Sequence, residues 1–238
     1  MAWPASPSID PDMRYLITGV DTEVGKTHIA VGLLSTAVKS GIRCVGIKPV
    51  ESGCGTQPSG SEDGMRLATA AGQAAPRSAL MRLRAPVAPP LAAENEGRQI
   101  QFDQLMDESR AYMADQELAL VEGAGGLLSP MTWQHTALDM AKALETRVIV
   151  VAADRLGMIG HVQLVLSALR HAGLTVDGVV VNQCSAQTGN DDSVGTNAQS
   201  LRKLAKMPSV FEIPFCPDLE IAAKALRPLL THLMEIHQ

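Results

Sequence analysis

Short apolar runs alternate along this chain with longer segments in which apolar residues return every three or four positions. The runs Arg14 to Thr18, Ile42 to Lys48, Leu118 to Glu122, Val148 to Ala152 and Gly178 to Asn182 read as buried strands, with a weaker one at Val210 to Ile213. Their Val and Ile content suits the enclosed, pleated environment of a sheet covered on both faces. Helical periodicity runs through Lys26 to Lys39, Glu62 to Ala71, Phe102 to Ala114, Ala137 to Leu144, Ile159 to Ala172, Ala198 to Lys206 and Glu220 to Ile236. Gly41 and Gly173 stand where helix-ending glycines stand. This alternation predicts an α/β fold of three layers, a mostly parallel sheet flanked by helices.

The segments Gly53 to Ser61 and Gln187 to Thr196 are rich in Gly, Ser, Asn and Asp and read as surface loops. A proline-rich piece, Ala85 to Leu91, separates the first β-α-β half from the rest without requiring a domain boundary. Pro4, Pro7 and Pro11 mark the start of the chain as a flexible arm, so residues 1–13 are taken as an arm and 14–238 as one domain. A hydrophobic content of 46% in 238 residues is enough for a continuous core.

Composition narrows the function. Only 3% of residues are aromatic, the net charge is −5 and the basic residues are scattered, which argues against nucleic acid or an anionic membrane as partner. Small molecules are the expected substrates. The cysteines Cys44, Cys54, Cys184 and Cys216 form no Cys-x-x-Cys pair, so neither zinc nor a disulfide framework is indicated. With no signal peptide pattern and no apolar run near the ~20 residues that cross a bilayer, the expectation is a soluble, cytoplasmic protein.

The first strand runs directly into Gly19-Val20-Asp21-Thr22-Glu23-Val24-Gly25-Lys26-Thr27 and then into a helix. That strand, loop and helix context is what a phosphate loop needs: many backbone N–H donors, a helix N-terminus and one fixed cation. Gly25 permits close approach, Lys26 supplies the charge and Thr27 offers a hydroxyl to Mg²⁺. The strict G-x-x-x-x-G-K-[ST] spacing is missed by one residue, because Gly19 lies one position early and Val20 takes its place. The fold is therefore expected to be P-loop NTPase-like. Asp21, Thr22 and Glu23 set polar side chains where many such loops carry small neutral ones, which suits contact with a second substrate.

Two acids and a second lysine join the loop. Mg²⁺ needs oxygen ligands and retains several waters, so one hydroxyl and one or two carboxylates suffice. Glu122 ends an apolar strand before the glycine-rich Gly123 to Gly126, where α/β sheets bind ligands. Asp63, near the start of a helix, reads equally as a first-turn acid or a metal ligand. Lys48, before Pro49, ends a strand of the same sheet and suits stabilisation of charge in a transition state.

The loop G-V-D-T-E-V-G-K-T resembles the G-x-D-T-x-V-G-K-T of the dethiobiotin synthetases. Lys48-Pro49-Val50-Glu51-Ser52-Gly53 is similar to that family's K-P-V-x-S-G, and Val121-Glu122-Gly123-Ala124-Gly125-Gly126 to its V-E-G-A-G-G. The similarity extends from Arg14 to about Leu226. It implies an ATP- and Mg²⁺-dependent ligase that joins 7,8-diaminononanoate and CO₂ into the cyclic urea of dethiobiotin, in biotin biosynthesis. By resemblance, Lys26, Lys48 and Thr22 are catalytic, and Glu23, Val24, Gly25, Lys26, Thr27, His28, Asn182 and Pro214 bind the nucleotide, Asn182 at the adenine. Thr22, Ser52, Gly123, Leu156, Gly157 and Gly160 would bind substrate, and Thr27, Asp63 and Glu122 the metal. The resemblance also implies a homodimer in which the Leu156 to His161 stretch completes the partner's site.

Two positions depart from the family pattern. Gly160 replaces the asparagine of L-G-x-I-N-H, and Pro89-Pro90-Leu91 stands where the family often has S-P-H. The competing readings are a partitioning or regulatory ATPase of the same fold and a related amidoligase. The first calls for a second lysine early in the loop, which is missing, and the second for an attached glutaminase domain.

Overall fold

A computed structural model of the chain describes residues 13–186, 191–204 and 207–237. Residues 1–12 of the expected arm, and parts of the expected Gln187 to Thr196 loop and Ala198 to Lys206 helix, lie outside the described residues, whereas Met13, expected to end the arm, is the buried first residue of the first strand. The strands are β1 (Met13–Gly19), β2 (Cys44–Ile47), β3 (Val50–Ser52), β4 (Met81–Leu83), β5 (Leu118–Gly126), β6 (Arg147–Ala153), β7 (Val176–Asn182) and β8 (Val210–Ile213). The helices are α1 (Lys26–Lys39), α2 (Asp63–Ala71), α3 (Pro89–Asn95), α4 (Phe102–Met113), α5 (Ala137–Ala143), α6 (Met158–His171), α7 (Asn197–Arg202) and α8 (Leu219–Glu235).

Six strands form one sheet in the order β2-β5-β1-β6-β7-β8, and every pairing in it is parallel. Side chains alternate between its faces. Leu16, Val121, Val150 and Val181 pack with Met106, Met140, Val162 and Leu166 from α4, α5 and α6. Tyr15, Ile17, Leu120 and Val151 pack on the other face with Ile29, Leu33, Leu67 and Leu226 from α1, α2 and α8. The layers are thus helices, sheet, helices, as the periodicity predicts. Chain order departs from spatial order on both sides of β1, which leaves a crevice at the carboxyl ends of the central strands.

Three features differ from the sequence reading, and each bears on that crevice. Strand β5 does not stop at Glu122 but continues to Gly126; Ile17 pairs with Glu122, the register then shifts, and Gly19 pairs with Gly126. Glu122 therefore sits inside a strand at its irregularity rather than at a strand end. Residues 50–52 and 81–83 form a separate two-stranded parallel sheet that sequence pattern did not single out, being three residues long on each side. The proline-rich piece turns into α3, because Pro89 and Pro90 occupy the first helical positions, where a missing N–H breaks no helical hydrogen bond.

Candidate active site

The loop between β1 and α1 is built around Gly25, whose φ of 89° falls in the left-handed region. A side chain there would strain the backbone, and its Cβ would lie 2.1 Å from Asn182 Nδ2. The loop is pinned at both ends: Val20 N–H donates to the carbonyl of Val151 at 3.0 Å, and the buried Asn182 amide donates to the carbonyl of Val24 at 3.0 Å. Val24 is buried, so its side chain anchors the loop while its neighbours face outward. Lys26 curls back along the loop, its Nζ donating to the carbonyl of Asp21 at 3.0 Å. Burial lowers the Lys26 pKa, the Lys48 charge adds to that effect, and Glu122 and Asp63 oppose it.

Opposite the loop, Lys48 joins two acids. Its Nζ donates to Glu122 Oε1 at 2.6 Å and to Asp63 Oδ2 at 2.9 Å. The Thr27 hydroxyl donates to the same Glu122 Oε1 at 2.8 Å. Burial opposes the ammonium charge, but Glu122 and Asp63 overcome it and hold the Lys48 pKa above the usual lysine range. Burial likewise opposes ionisation of Asp63, and Lys48 outweighs it, so that carboxyl titrates below its ordinary value. Glu122 is 1% exposed, yet its Oε2 has no hydrogen-bond partner among the described residues. A buried carboxylate oxygen without a donor is costly and marks where a cation or donor belongs.

These groups open on one cavity of about 790 Å³. Thr22, Glu23, Gly25, Lys26, Thr27, His28, Lys48, Ser52, Asp63 and Glu122, all singled out from sequence, line it. The others lie elsewhere. Gly123 meets the cluster through its carbonyl, 3.4 Å from Lys48 Nζ. Asn182 lies beneath the loop, and Pro214 is exposed just past β8. Leu156, Gly157 and Gly160 sit at the start of α6, where Leu156 is 77% exposed and a Cβ at Gly160 would meet open space. Sequence reasoning missed Glu51, Arg66, Ser129 and the Pro86 to Ala88 wall, which line the same cavity, while Pro89, named there as a departure from the family pattern, lines it too. Glu51 lies inside the lysine motif at its variable position, and nothing in its spacing from Asp63 announces a contact.

Comparison with known proteins gives a consistent result. Residues 13–223 match the family described as an AAA domain. The ATP-dependent dethiobiotin synthetase BioD of Anaeromyxobacter dehalogenans strain 2CP-C is 38% identical over 222 residues, covering 92% of this chain and 97% of that protein. The protein of the same name from Caulobacter vibrioides strain NA1000 is 37% identical over 187 residues, or 75% and 84% of the two chains. Among solved structures, a DUF1611 family protein from Anabaena variabilis aligns with a TM-score of 0.54 at 13% identity, over 97% of this chain and 62% of that one. The signal recognition particle receptor FtsY from Elizabethkingia anophelis gives 0.52 at 11%, over 97% and 68%. Both likenesses concern the fold alone.

Proposed function

This chain belongs to the ATP-dependent dethiobiotin synthetases, and from that membership we propose that it closes the ring of dethiobiotin from 7,8-diaminononanoate, CO₂ and ATP in the cavity beside Lys26 and Lys48. The observation that carries this reading is the convergence of two lysines, a hydroxyl and two carboxylates on one cavity beside a phosphate loop.

The residues fit Mg²⁺. Thr27, Asp63 and Glu122 form an all-oxygen donor set, and the orphaned Glu122 Oε2 supplies a buried acceptor in need of a partner. When bound there, Mg²⁺ neutralises charge on the terminal phosphates of ATP. The loop N–H groups and the start of α1 cradle the phosphates, with Lys26 alongside. Asn182 and the backbone at Pro214 are the proposed adenine contacts, and since the Asn182 amide also holds Val24, one side chain links base site and phosphate loop.

In the reaction, one amine nitrogen of the diamine bonds to the carbon of CO₂ and loses a proton, leaving a carbamate. A carbamate oxygen then attacks the γ-phosphorus as the bond to the β-phosphate oxygen breaks and ADP departs. The second amine attacks the carbon of the resulting mixed anhydride and gives up a proton, and the C–O bond breaks to release phosphate and close the urea. Each step gathers negative charge between Lys26 and Lys48, while the hydroxyls of Thr22 and Ser52 donate to carbamate or phosphoryl oxygens. No protein nucleophile is required. Four free cysteines accord with a cytosolic location.

The far end of the diamine carries a carboxylate, which we assign to the start of α6 in a partner subunit. Leu156, just before α6, and Leu164, in its middle, are 77% and 71% exposed, which is consistent with a covered face. Gly160 contributes only backbone, so the carboxylate depends there on the N–H groups at Gly157 to Gly160. Mixing inactive Lys26→Ala and Gly160→Pro subunits restores one intact site per heterodimer on this account; heterodimers that form without activity contradict it. The catalytic reading itself is tested by supplying ATP, Mg²⁺, bicarbonate and diaminononanoate. Phosphate release that rises with diamine, matched by dethiobiotin, supports it; ATP hydrolysis indifferent to the diamine overturns it.

A further inference from the structure

Glu51 is 8% exposed, and a carboxylate so enclosed needs partners. It finds them on another element. Its Oε1 accepts the backbone N–H of Asp63 at 2.6 Å and its Oε2 that of Gly64 at 2.9 Å, two of the N–H groups that a helix start leaves unpaired. Helix α2 has no cap of its own: Glu62, at the N-cap position, makes no side-chain cap bond. The Glu62 carboxylate turns away, to the Arg82 guanidinium at 2.6 and 2.7 Å and to Gly55 N–H at 3.3 Å. The cap therefore comes from β3, twelve residues upstream, in the same short stretch that carries Lys48.

The start of α2 is fixed from the other side as well. A Cβ on Gly64 would lie 2.2 Å from the backbone nitrogen of Ala79, so the helix is pressed against that segment and has no room to slide. The Lys48 to Ser52 stretch thus grips α2 twice, by the Lys48 ammonium on the Asp63 carboxylate and by the Glu51 carboxylate on the Asp63 and Gly64 amides. The neighbouring cluster of Glu51, Cys54 and Glu62 has the spacing of a metal site, but each of its carboxylate oxygens is already engaged.

We propose that Glu51 is a positioning residue for the ligase reaction: by capping α2 from β3 it holds the Asp63 carboxylate on the Lys48 ammonium that it shares with Glu122, where the metal-bound triphosphate is received. This rests on the reading of Asp63 as a metal ligand. Glu51 acts through Asp63 and touches no reacting atom.

The test compares Glu51→Ala, Glu51→Gln, Asp63→Ala and the Glu51→Ala/Asp63→Ala double variant. Binding of Mn²⁺, a paramagnetic substitute for Mg²⁺, is measured by electron paramagnetic resonance with ADP present, together with the thermal midpoint. Glu51→Ala is expected to weaken Mn²⁺ about tenfold, the lower end of what loss of a ligand's supporting partner does. Glu51→Gln, which keeps one acceptor for the two N–H groups, weakens it less and serves where the alanine variant does not fold. In the Asp63→Ala background the loss of Glu51 changes Mn²⁺ affinity no further, although the midpoint still falls. Wild-type Mn²⁺ affinity in both Glu51 variants, or an equal loss with and without Asp63, overturns the proposal while leaving Asp63 as a ligand. Wild-type affinity in Asp63→Ala overturns the ligand reading and this inference with it.

Discussion

Replacing Lys48 by methionine keeps most of the side chain's bulk and removes a cation from between two acids. Lys48 and Glu122 side chains are 5% and 1% exposed and lie 2.6 Å apart, while Asp63, at 2.9 Å, is 32% exposed and partly solvated. At an effective dielectric near 20, the Lys48 to Glu122 contact carries about 6 kcal/mol of Coulomb attraction, much of it offset by the desolvation of both groups. Removing one partner leaves that desolvation uncompensated, and buried pairs broken in this way lose about 3–5 kcal/mol. Chemical denaturation at neutral pH, without nucleotide and with chelator, should therefore show Lys48→Met less stable by that amount. The double variant Lys48→Met/Glu122→Gln, with no buried charge left to strand, should recover most of the loss. Turnover stays orders of magnitude down in both. A single variant within about 0.5 kcal/mol of the parent, or strict additivity with Glu122→Gln, refutes the picture of a buried pair.

Lys26→Ala should reduce turnover by orders of magnitude without loss of stability, since it deletes a charge that burial disfavours; the two effects are read from steady-state rates and denaturation. The Arg82 hydrogen bonds hold the Glu62 pKa below its ordinary value, so the stability it contributes is present above the unfolded glutamate pKa of about 4.3 and is lost as pH falls through the lower folded value. Glu62→Gln should accordingly be less stable at neutral pH and show a shallower acid-side decline in thermal midpoint. At the opposite end of the sheet, the Tyr15 hydroxyl donates to Asp177 at 3.0 Å, and Asp177 is paired with Arg147. Tyr15→Phe should lower unfolding free energy by about 1–3 kcal/mol, by loss of a buried hydrogen bond to a charged group, with kcat unchanged.

The sheet was legible because its strands are nearly uninterrupted apolar runs, and β1, β6, β7 and β8 fall within a residue or two of the expected ranges. The loop was legible because Gly25, Lys26 and Thr27 are consecutive, so chemistry and local structure coincide. What sequence did not disclose depends on contacts between distant segments. The extension of β5 past Glu122 comes from its shifted pairing with Gly19, and the short β3 and β4 carry too few residues to show a period. Pro89 and Pro90 looked like a break because proline ends most helices, yet at the first positions it begins one. Asp63 was ambiguous between helix-start acid and ligand, and it is in fact at a helix start that is capped by Glu51 and salt-bridged to Lys48. No local pattern encodes a cap supplied from twelve residues away.

On the proposed mechanism, a carbamate formed in this cavity takes the γ-phosphoryl group through its own oxygen before the ring closes. A single turnover with ¹⁸O-labelled CO₂, unlabelled ATP and diaminononanoate, completed before the label exchanges with water, tests it by mass analysis of the released phosphate. One ¹⁸O is expected in each phosphate, because the bridging oxygen of the mixed anhydride leaves with phosphorus when the second amine attacks carbon. Unlabelled phosphate formed alongside dethiobiotin would mean that water, not carbamate, receives the phosphoryl group, and would contradict the account.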